Sequence, residues 1–103
     1  MGATPESKVK AAVKQYLDSI GAYWVMPATG GFGRSGVPDF LVCWKGMFVG
    51  VETKAPGKIK NTHPLQVREI ESIGIAGGRA MVVDSVAMLK ELFAGLTLEP
   101  GSP

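Results

Sequence analysis

Residues 36 to 54 read GVPDFLVCWKGMFVGVETK, and this stretch decides the fold. The apolar run over residues 39–44 predicts a strand, Lys45 and Gly46 predict a two-residue turn, and residues 47–54 predict the returning strand. The first strand is apolar on both of its faces, which indicates a central place in a sheet that is covered on both sides. The sequence therefore predicts a buried β-hairpin.

The hairpin fixes which polar side chains can meet. A two-residue turn pairs Trp44 with Met47 and, counting outward along both strands, Asp39 with Glu52. Directly opposed residues share one face of the sheet with Cβ atoms about 5 Å apart. Lys54 follows Glu52 by two positions and lies on the same face. A three-residue turn would instead put Asp39 and Glu52 on opposite faces.

The pairing of these groups points to metal chemistry. Two carboxylates at this separation repel by about 3–4 kcal/mol at an effective dielectric near 20, so a small domain needs something that compensates them. Mg²⁺ does so, because it binds one or two carboxylates and completes its shell with water and substrate phosphate. Lys54 would orient the attacking water or neutralise the phosphate, which predicts metal-assisted hydrolysis of a phosphodiester. The alternative is that all three residues form an ordinary solvated surface.

The rest of the chain alternates helices and strands. Helices are predicted over residues 5–20, 64–75 and 86–93, with Thr4 and Thr62 as caps of the first two. Further strands are predicted over residues 22–26 and 79–84, a mobile glycine-rich loop over 28–36, and a basic loop over 55–61. The order α-β-β-β-α-β-α predicts an α/β domain with one mixed sheet and helices packed against it.

Length and composition bound the protein class. The chain has 103 residues, 46% of them hydrophobic, which predicts one packed domain over residues 1–95 and a flexible tail over 96–103. An apolar run of about 18 residues would be needed to span a membrane, and the sequence contains none. A single cysteine, Cys43, excludes an internal disulfide and is typical of a reducing cytoplasm. The net charge of +2 is too small to identify a partner.

Four short motifs, taken together, resemble a known family. The segment Gly36-Val37-Pro38-Asp39 followed by Glu52-Thr53-Lys54 resembles the signature of the PD-(D/E)XK nucleases. With Glu6 early in the first helix and Gln66 early in the next, the pattern resembles the VRR-NUC branch, the virus-type replication and repair nucleases. The resemblance runs from about residue 6 to residue 93, and it implies the restriction-endonuclease-like α-β-β-β-α-β core. Each motif is weak alone, but four in order on the expected elements are specific.

The resemblance implies a role for each residue of the hairpin end. Asp39 and Glu52 would bind a metal ion, Mg²⁺ or Mn²⁺, together with the backbone carbonyl of Thr53. Lys54 would be the catalytic lysine.

Two residues from the helices would assist. The resemblance implies that Glu6 approaches the metal directly or through water, and that Gln66 contacts Lys54 or the scissile phosphate. Two alternatives stay open: Glu6 is a helix-start anion paired with Lys10, and Gln66 is a plain exposed helix residue. His63 precedes the second helix, and we expect it to act in the capping region rather than as a base.

The implied activity is that of a structure-selective endodeoxyribonuclease in DNA repair. Its substrates would be branched DNA such as Holliday junctions, its assembly a homodimer like that of the junction resolvases, and its location the cytoplasm of a bacterial or phage-infected cell. The alternatives are a non-cleaving DNA-binding module on the same fold, or a nuclease selective for flaps or single strands.

Local basic residues predict the path of the DNA. Arg34 and Ser35 in the glycine-rich loop, and Lys58 and Lys60 after the hairpin, would flank the metal site from both sides. Such residues contact phosphates and position a substrate without reading bases. For the two lysines the alternative is a merely solubilising loop.

Overall fold

The described elements alternate helices and strands in the predicted order. The computed structural model describes residues 3–28 and 33–96. Its elements are α1 (Pro5–Ser19), β1 (Tyr23–Val25), β2 (Phe40–Trp44), β3 (Met47–Thr53), a 3₁₀ turn (Ile59–Asn61), α2 (Pro64–Ile75), β4 (Arg79–Val83) and α3 (Val86–Ala94). The described strands form a mixed sheet in the order β1-β2-β3-β4, with β4 parallel to β3 and the other pairs antiparallel. This confirms the predicted α/β class. Residues 29–32 of the predicted mobile loop and 97–103 of the predicted tail lie outside the described residues.

The turn of the hairpin has the predicted length. Lys45 and Gly46 both have positive φ, 49° and 77°, as a two-residue turn of type I′ requires. Trp44 pairs with Met47, and the register continues to Phe40 opposite Val51. The three-residue alternative is therefore wrong, and the register that brings Asp39 opposite Glu52 is the one the strands adopt.

One face of the sheet carries the hydrophobic core. Alternate side chains of β2 and β3 point to this face, where α1 and α3 cover them. The buried core residues from strands and helices are Val9, Val13, Leu17, Phe40, Val42, Met47, Val49, Val51, Val83, Leu89 and Phe93. Trp24 and Trp44 pack against this core. The core fixes β3 firmly, so the residues at its end are held in place.

The other face is only half covered. Helix α2 packs over β3 and β4, and Gly50 lies so close beneath Ile73 and Pro38 that an added Cβ would be 3.0 Å from each. Tyr23 and Phe48 on this face stay 71% and 45% exposed, and Cys43 is exposed too. The prediction that β2 is covered on both sides is wrong here. One helix about 10 Å wide covers about two strands spaced near 4.8 Å, not four.

Helix caps decide where two site elements begin. Thr4 caps α1 as predicted, since its hydroxyl accepts a hydrogen bond from the Ser7 amide at 3.1 Å. The predicted Thr62 cap of α2 is wrong, because that hydroxyl closes the 3₁₀ turn by donating to the Ile59 carbonyl. His63 caps α2 instead: its Nδ1 accepts from the Leu65 amide at 3.0 Å. The predicted capping role of His63 is therefore confirmed.

Candidate active site

The end of the hairpin opposite the turn gathers polar side chains from four elements. Glu52 and Thr53 end β3, Lys54 follows them, and Asp39 immediately precedes β2. The first turns of α1 and α2 bring in two more side chains, Glu6 and Gln66. Asp39 contacts Thr53, whereas Glu52, Lys54 and Gln66 contact one another. Asp39 and Glu52 interact through their charges. Glu6 reaches this end of the hairpin through Lys10.

Glu52, Gln66 and Lys54 form a closed set of contacts. Glu52 Oε2 accepts a hydrogen bond from Gln66 Nε2 at 2.8 Å and lies 3.5 Å from Lys54 Nζ. Lys54 Nζ in turn donates to Gln66 Oε1 at 2.8 Å. That same oxygen accepts from the His63 backbone amide at 2.9 Å, which ties the set to the start of α2. Gln66 thus orients both charged groups, and the alternative of a plain exposed residue is wrong.

The surroundings of Glu52 disfavour the charged form of its carboxyl group. The residue is 4% exposed, and burial followed by the charge of Asp39 raises the pKa of Glu52 to about 7, against the lowering effects of Lys54 and of the Asp39 backbone amide. Its second oxygen, Oε1, is buried and has no hydrogen-bond partner among the described residues. A buried oxygen without a partner costs about 1–3 kcal/mol or more. A bound cation would remove that cost, so the residue fits a metal ligand.

Asp39 is tied to the last residue of β3. Its Oδ2 accepts from the Thr53 amide at 3.0 Å and from the Thr53 hydroxyl at 2.6 Å. The amide and the carbonyl of one strand residue point to the same edge, so the Thr53 carbonyl also faces the β2 edge, where Asp39 lies. This is the carbonyl that the resemblance assigned to the metal. The carboxylates of Asp39 and Glu52 and this backbone oxygen therefore lie at the same end of the hairpin.

Glu6 reaches this end through Lys10. Glu6 Oε2 lies 2.6 Å from Lys10 Nζ, and Lys10 Nζ lies 3.4 Å from Asp39 Oδ2. Burial works to lower the pKa of Lys10, but the two carboxylates together raise it above its ordinary value. The pairing with Lys10 was the alternative considered for Glu6. The residues that the structure describes contain no group of three or more His, Cys, Asp or Glu side chains placed to hold a metal. Mg²⁺ itself needs only one or two carboxylates.

The segment before β2 is fastened to α2. Gly36 has φ of +84°, and a Cβ there would lie 2.4 Å from the Leu65 carbonyl oxygen, so only glycine fits this approach. Arg34 donates to the buried Glu69 at 2.8 Å. The sequence analysis missed Glu69, although it lies three residues after Gln66 and therefore on the same side of the helix. These contacts hold the segment that carries Asp39 against the helix that carries Gln66.

The predicted DNA-contacting residues lie in the two segments that enter β2 and leave β3. Arg34 and Ser35 line a cavity of about 640 Å³ that also borders Lys10 and Asp39. The Arg34 side chain is 68% exposed despite its ion pair with Glu69. Lys58 and Lys60 are exposed in the loop after β3. Contact of these four residues with DNA stays a prediction.

Comparison with known proteins identifies the fold family. No family model and no curated protein matches the sequence. A solved structure described as a VRR_NUC domain is similar to this chain with a TM-score of 0.78 and 30% identity, over 92% of this chain and 100% of the other. The fold and the match define a nuclease domain of the PD-(D/E)XK type. The chain belongs to the VRR-NUC family, as its motifs indicated.

No helix in residues 3–28 and 33–96 has the length and apolar character needed to cross a membrane.

Proposed function

We propose that this chain is a metal-dependent endodeoxyribonuclease that hydrolyses phosphodiester bonds in branched DNA. The observation that carries the proposal is the Glu52 carboxylate: its Oε1 is buried and has no hydrogen-bond partner among the described residues, while its Oε2 lies 3.5 Å from Lys54 Nζ. A domain that only bound DNA would gain stability by losing such an oxygen. This favours an enzyme over a non-cleaving module on the same fold.

The metal would be Mg²⁺ or Mn²⁺, held by Asp39, Glu52 and the Thr53 carbonyl. The ion, when bound, lowers the pKa of a coordinated water and stabilises charge on the attacked phosphate. Its ligands are hard oxygen donors, which these two metals prefer.

Lys54 would act on the phosphate that is attacked. The oxygen of a water molecule forms a bond to phosphorus and the water gives up a proton to solvent, while the bond from phosphorus to the leaving sugar oxygen breaks and that oxygen takes a proton from solvent. The Lys54 ammonium donates a hydrogen bond to the attacking water or to a non-bridging oxygen, where negative charge develops. The Lys54 side chain is only 13% exposed, and Gln66 holds Nζ in place. Such prior orientation lowers the cost of reaching the transition state.

The DNA would lie across the hairpin end. Arg34, Ser35, Lys58 and Lys60 offer charge and hydroxyl groups to phosphates on both sides of the carboxylates, and phosphate contacts carry no base information. We therefore propose selection by DNA structure rather than by sequence.

A homodimer would suit symmetric four-way junctions. The exposed apolar half of the sheet, with Tyr23, Val25 and Phe48, is a surface that a second copy could cover. Two active sites related by a two-fold axis match the symmetry of such a junction. Analytical ultracentrifugation with wild type and Phe48→Lys would test this: we expect a dimer that the charge dissociates.

The nuclease proposal is tested with labelled four-way junctions, flaps and duplexes in Mg²⁺, Mn²⁺ or EDTA. We expect the junction to be cut with either metal, and no cutting in EDTA or by Glu52→Gln. Glu71→Gln is the matched control, because Glu71 is exposed on α2 and should cut like wild type. Cleavage retained in Glu52→Gln would contradict the site, and binding without cleavage by wild type would favour the non-cleaving module. Faster cutting of flaps than of junctions would favour the flap-selective alternative.

A further inference from the structure

Lys10 is a second lysine at the hairpin end, and the proposed chemistry does not use it. Its Nζ lies between two carboxylates, 2.6 Å from Glu6 Oε2 and 3.4 Å from Asp39 Oδ2. The Lys10 side chain is 24% exposed and that of Asp39 is 25% exposed, so solvent screens this contact only partly. Lys10 comes from α1, whereas Lys54 follows β3.

The two contacts of Lys10 differ in kind. Glu6 lies four residues before Lys10 on the same helix, an arrangement that favours ion pairing whether or not a metal ion is bound. Asp39 comes from a different element, is more distant, and already accepts two hydrogen bonds from Thr53. The Asp39 contact is therefore the one that Lys10 can give up most easily.

An ammonium and a divalent ion cannot share Asp39 without cost. Both are cations, and at a few ångströms in a partly buried site they repel each other strongly. Lys10 also borders two cavities: the one of about 640 Å³ beside Asp39, and one of about 480 Å³ beside Glu6. The ammonium therefore has open space on the Glu6 side into which it can withdraw.

We propose that Lys10 is the resident cation of the metal-free site: it neutralises Asp39 until a divalent ion binds, and Glu6 then retains it. The proposal rests on the proposed metal-dependent function and adds a regulation of metal affinity to it. Glu6 becomes a positioning residue, which acts through Lys10 rather than as a ligand of the ion.

The first test is calorimetric titration of EDTA-stripped protein with Mn²⁺. Removing the competing charge in Lys10→Met should tighten Mn²⁺ binding roughly 3- to 30-fold, the range expected for loss of a charge-assisted contact. The metal-free variant should also melt at a lower temperature than metal-free wild type. Lys10→Arg keeps the charge and should bind like wild type, and Lys8→Met, on the exposed side of α1, serves as the matched control.

The second test is a double-mutant cycle with the same titration. Glu6→Gln leaves Lys10 with Asp39 alone, so it should weaken Mn²⁺ binding about 3- to 10-fold. In the Lys10→Met background the same change should alter binding by less than about twofold. Equal weakening in both backgrounds would mean that Glu6 serves the ion itself, and would overturn its role as the anchor of Lys10.

The outcomes separate this proposal from the one on which it rests. If wild type binds Mn²⁺ and Lys10→Met binds it equally or more weakly, the exchange at Lys10 is wrong while the nuclease proposal stands. If wild type and Lys10→Met both fail to bind Mn²⁺ while remaining folded by circular dichroism, the metal-dependent function fails, and the exchange with it.

Discussion

Two carboxylate–lysine pairs meet at the end of one hairpin, and they are built differently. Glu52 and Lys54 come from one stretch of chain, are almost fully buried, and are both bonded to Gln66. Asp39 and Lys10 come from different elements and are about a quarter exposed, and Lys10 is shared with Glu6. The comparison teaches that the same two functional groups can be fixed for chemistry in one pair and left exchangeable in the other.

The difference follows from chain connectivity. Lys54 is two residues beyond Glu52 along one extended stretch of chain, so the backbone sets their separation. The start of α2 then locks both through a single amide side chain. Lys10 meets Asp39 because α1 packs against the sheet, and no amide side chain among the described residues bridges the two. Each prediction below breaks one part of this comparison, from the largest expected effect to the smallest.

Removal of the fixed lysine should have the largest effect. Lys54→Met takes away the donor nearest the attacked phosphate and should slow cleavage about 10²- to 10³-fold at saturating Mn²⁺. Lys10→Met should lose less than about tenfold, because an exchangeable cation is dispensable once the metal is bound. Single-turnover rates on the best-cleaved DNA measure both. Equal losses in the two variants would contradict the division of roles.

The next largest effect should come from Gly36, which lies where the segment that carries Asp39 packs against the helix that carries Gln66. In Gly36→Ala the new Cβ would lie 2.4 Å from the Leu65 carbonyl oxygen, and its positive φ adds strain, so unfolding should become easier by about 2–4 kcal/mol. Gly57→Ala is the matched control: its φ is +79°, but apart from its chain neighbours no residue in the described part of the chain lies within 4 Å of an added Cβ. That variant should lose only about 1 kcal/mol in urea denaturation. Similar losses in both variants would mean that the contact of Gly36 with α2 does not contribute to the free energy of unfolding.

Gln66→Met should disturb the pair of Glu52 and Lys54 but not the pair of Asp39 and Lys10. It removes the amide that satisfies Glu52, Lys54 and the His63 backbone amide. We expect about 1–3 kcal/mol lower stability and cleavage slowed about 10- to 100-fold. The control is Gln15→Met, at an exposed position of α1. A variant as stable and as active as wild type would show that Gln66 does not orient the pair.

The pKa of Glu52 gives the smallest effect. Burial, then the Asp39 charge, raise this pKa from 4.5 to about 7, so the folded, metal-free protein holds a proton that the unfolded chain has lost. This contribution to stability is full below about pH 4.5 and disappears as the pH rises through about 7. Urea denaturation in EDTA should show about 1 kcal/mol more stability at pH 6 than at pH 8. The difference should vanish in Glu52→Gln, and its persistence there would assign it to another group.

Much of the arrangement of Glu52 and Lys54 was predictable from sequence. The alternation of apolar residues and the Lys45–Gly46 turn determine the register of β2 and β3, and the register determines where Glu52 and Lys54 point. All these signals lie within a stretch short enough for local rules to apply. The family motifs then added Gln66, which the hairpin alone does not reveal.

The contacts between segments distant in sequence, such as that of Lys10 with Asp39, depend on tertiary packing that local sequence rules do not describe. The contact of Lys10 with Asp39 requires the placement of α1 against the sheet. The ion pair of Arg34 with the buried Glu69 joins residues 35 positions apart. The Thr62 cap failed for a local reason, because the 3₁₀ turn that occupies Thr62 was not recognised in the basic loop.

The two-residue turn at Lys45 and Gly46 has a consequence for how this domain can vary in length. Loops on a protein surface usually accept insertions, and this turn lies far from the chemistry. Adding one residue to either strand of the ribbon, however, would rotate all later side chains onto the reverse side and carry Glu52 and Lys54 away from Gln66. Homologous domains should therefore vary at this turn only among residues that tolerate positive φ, and change its length only by steps that restore the original phase.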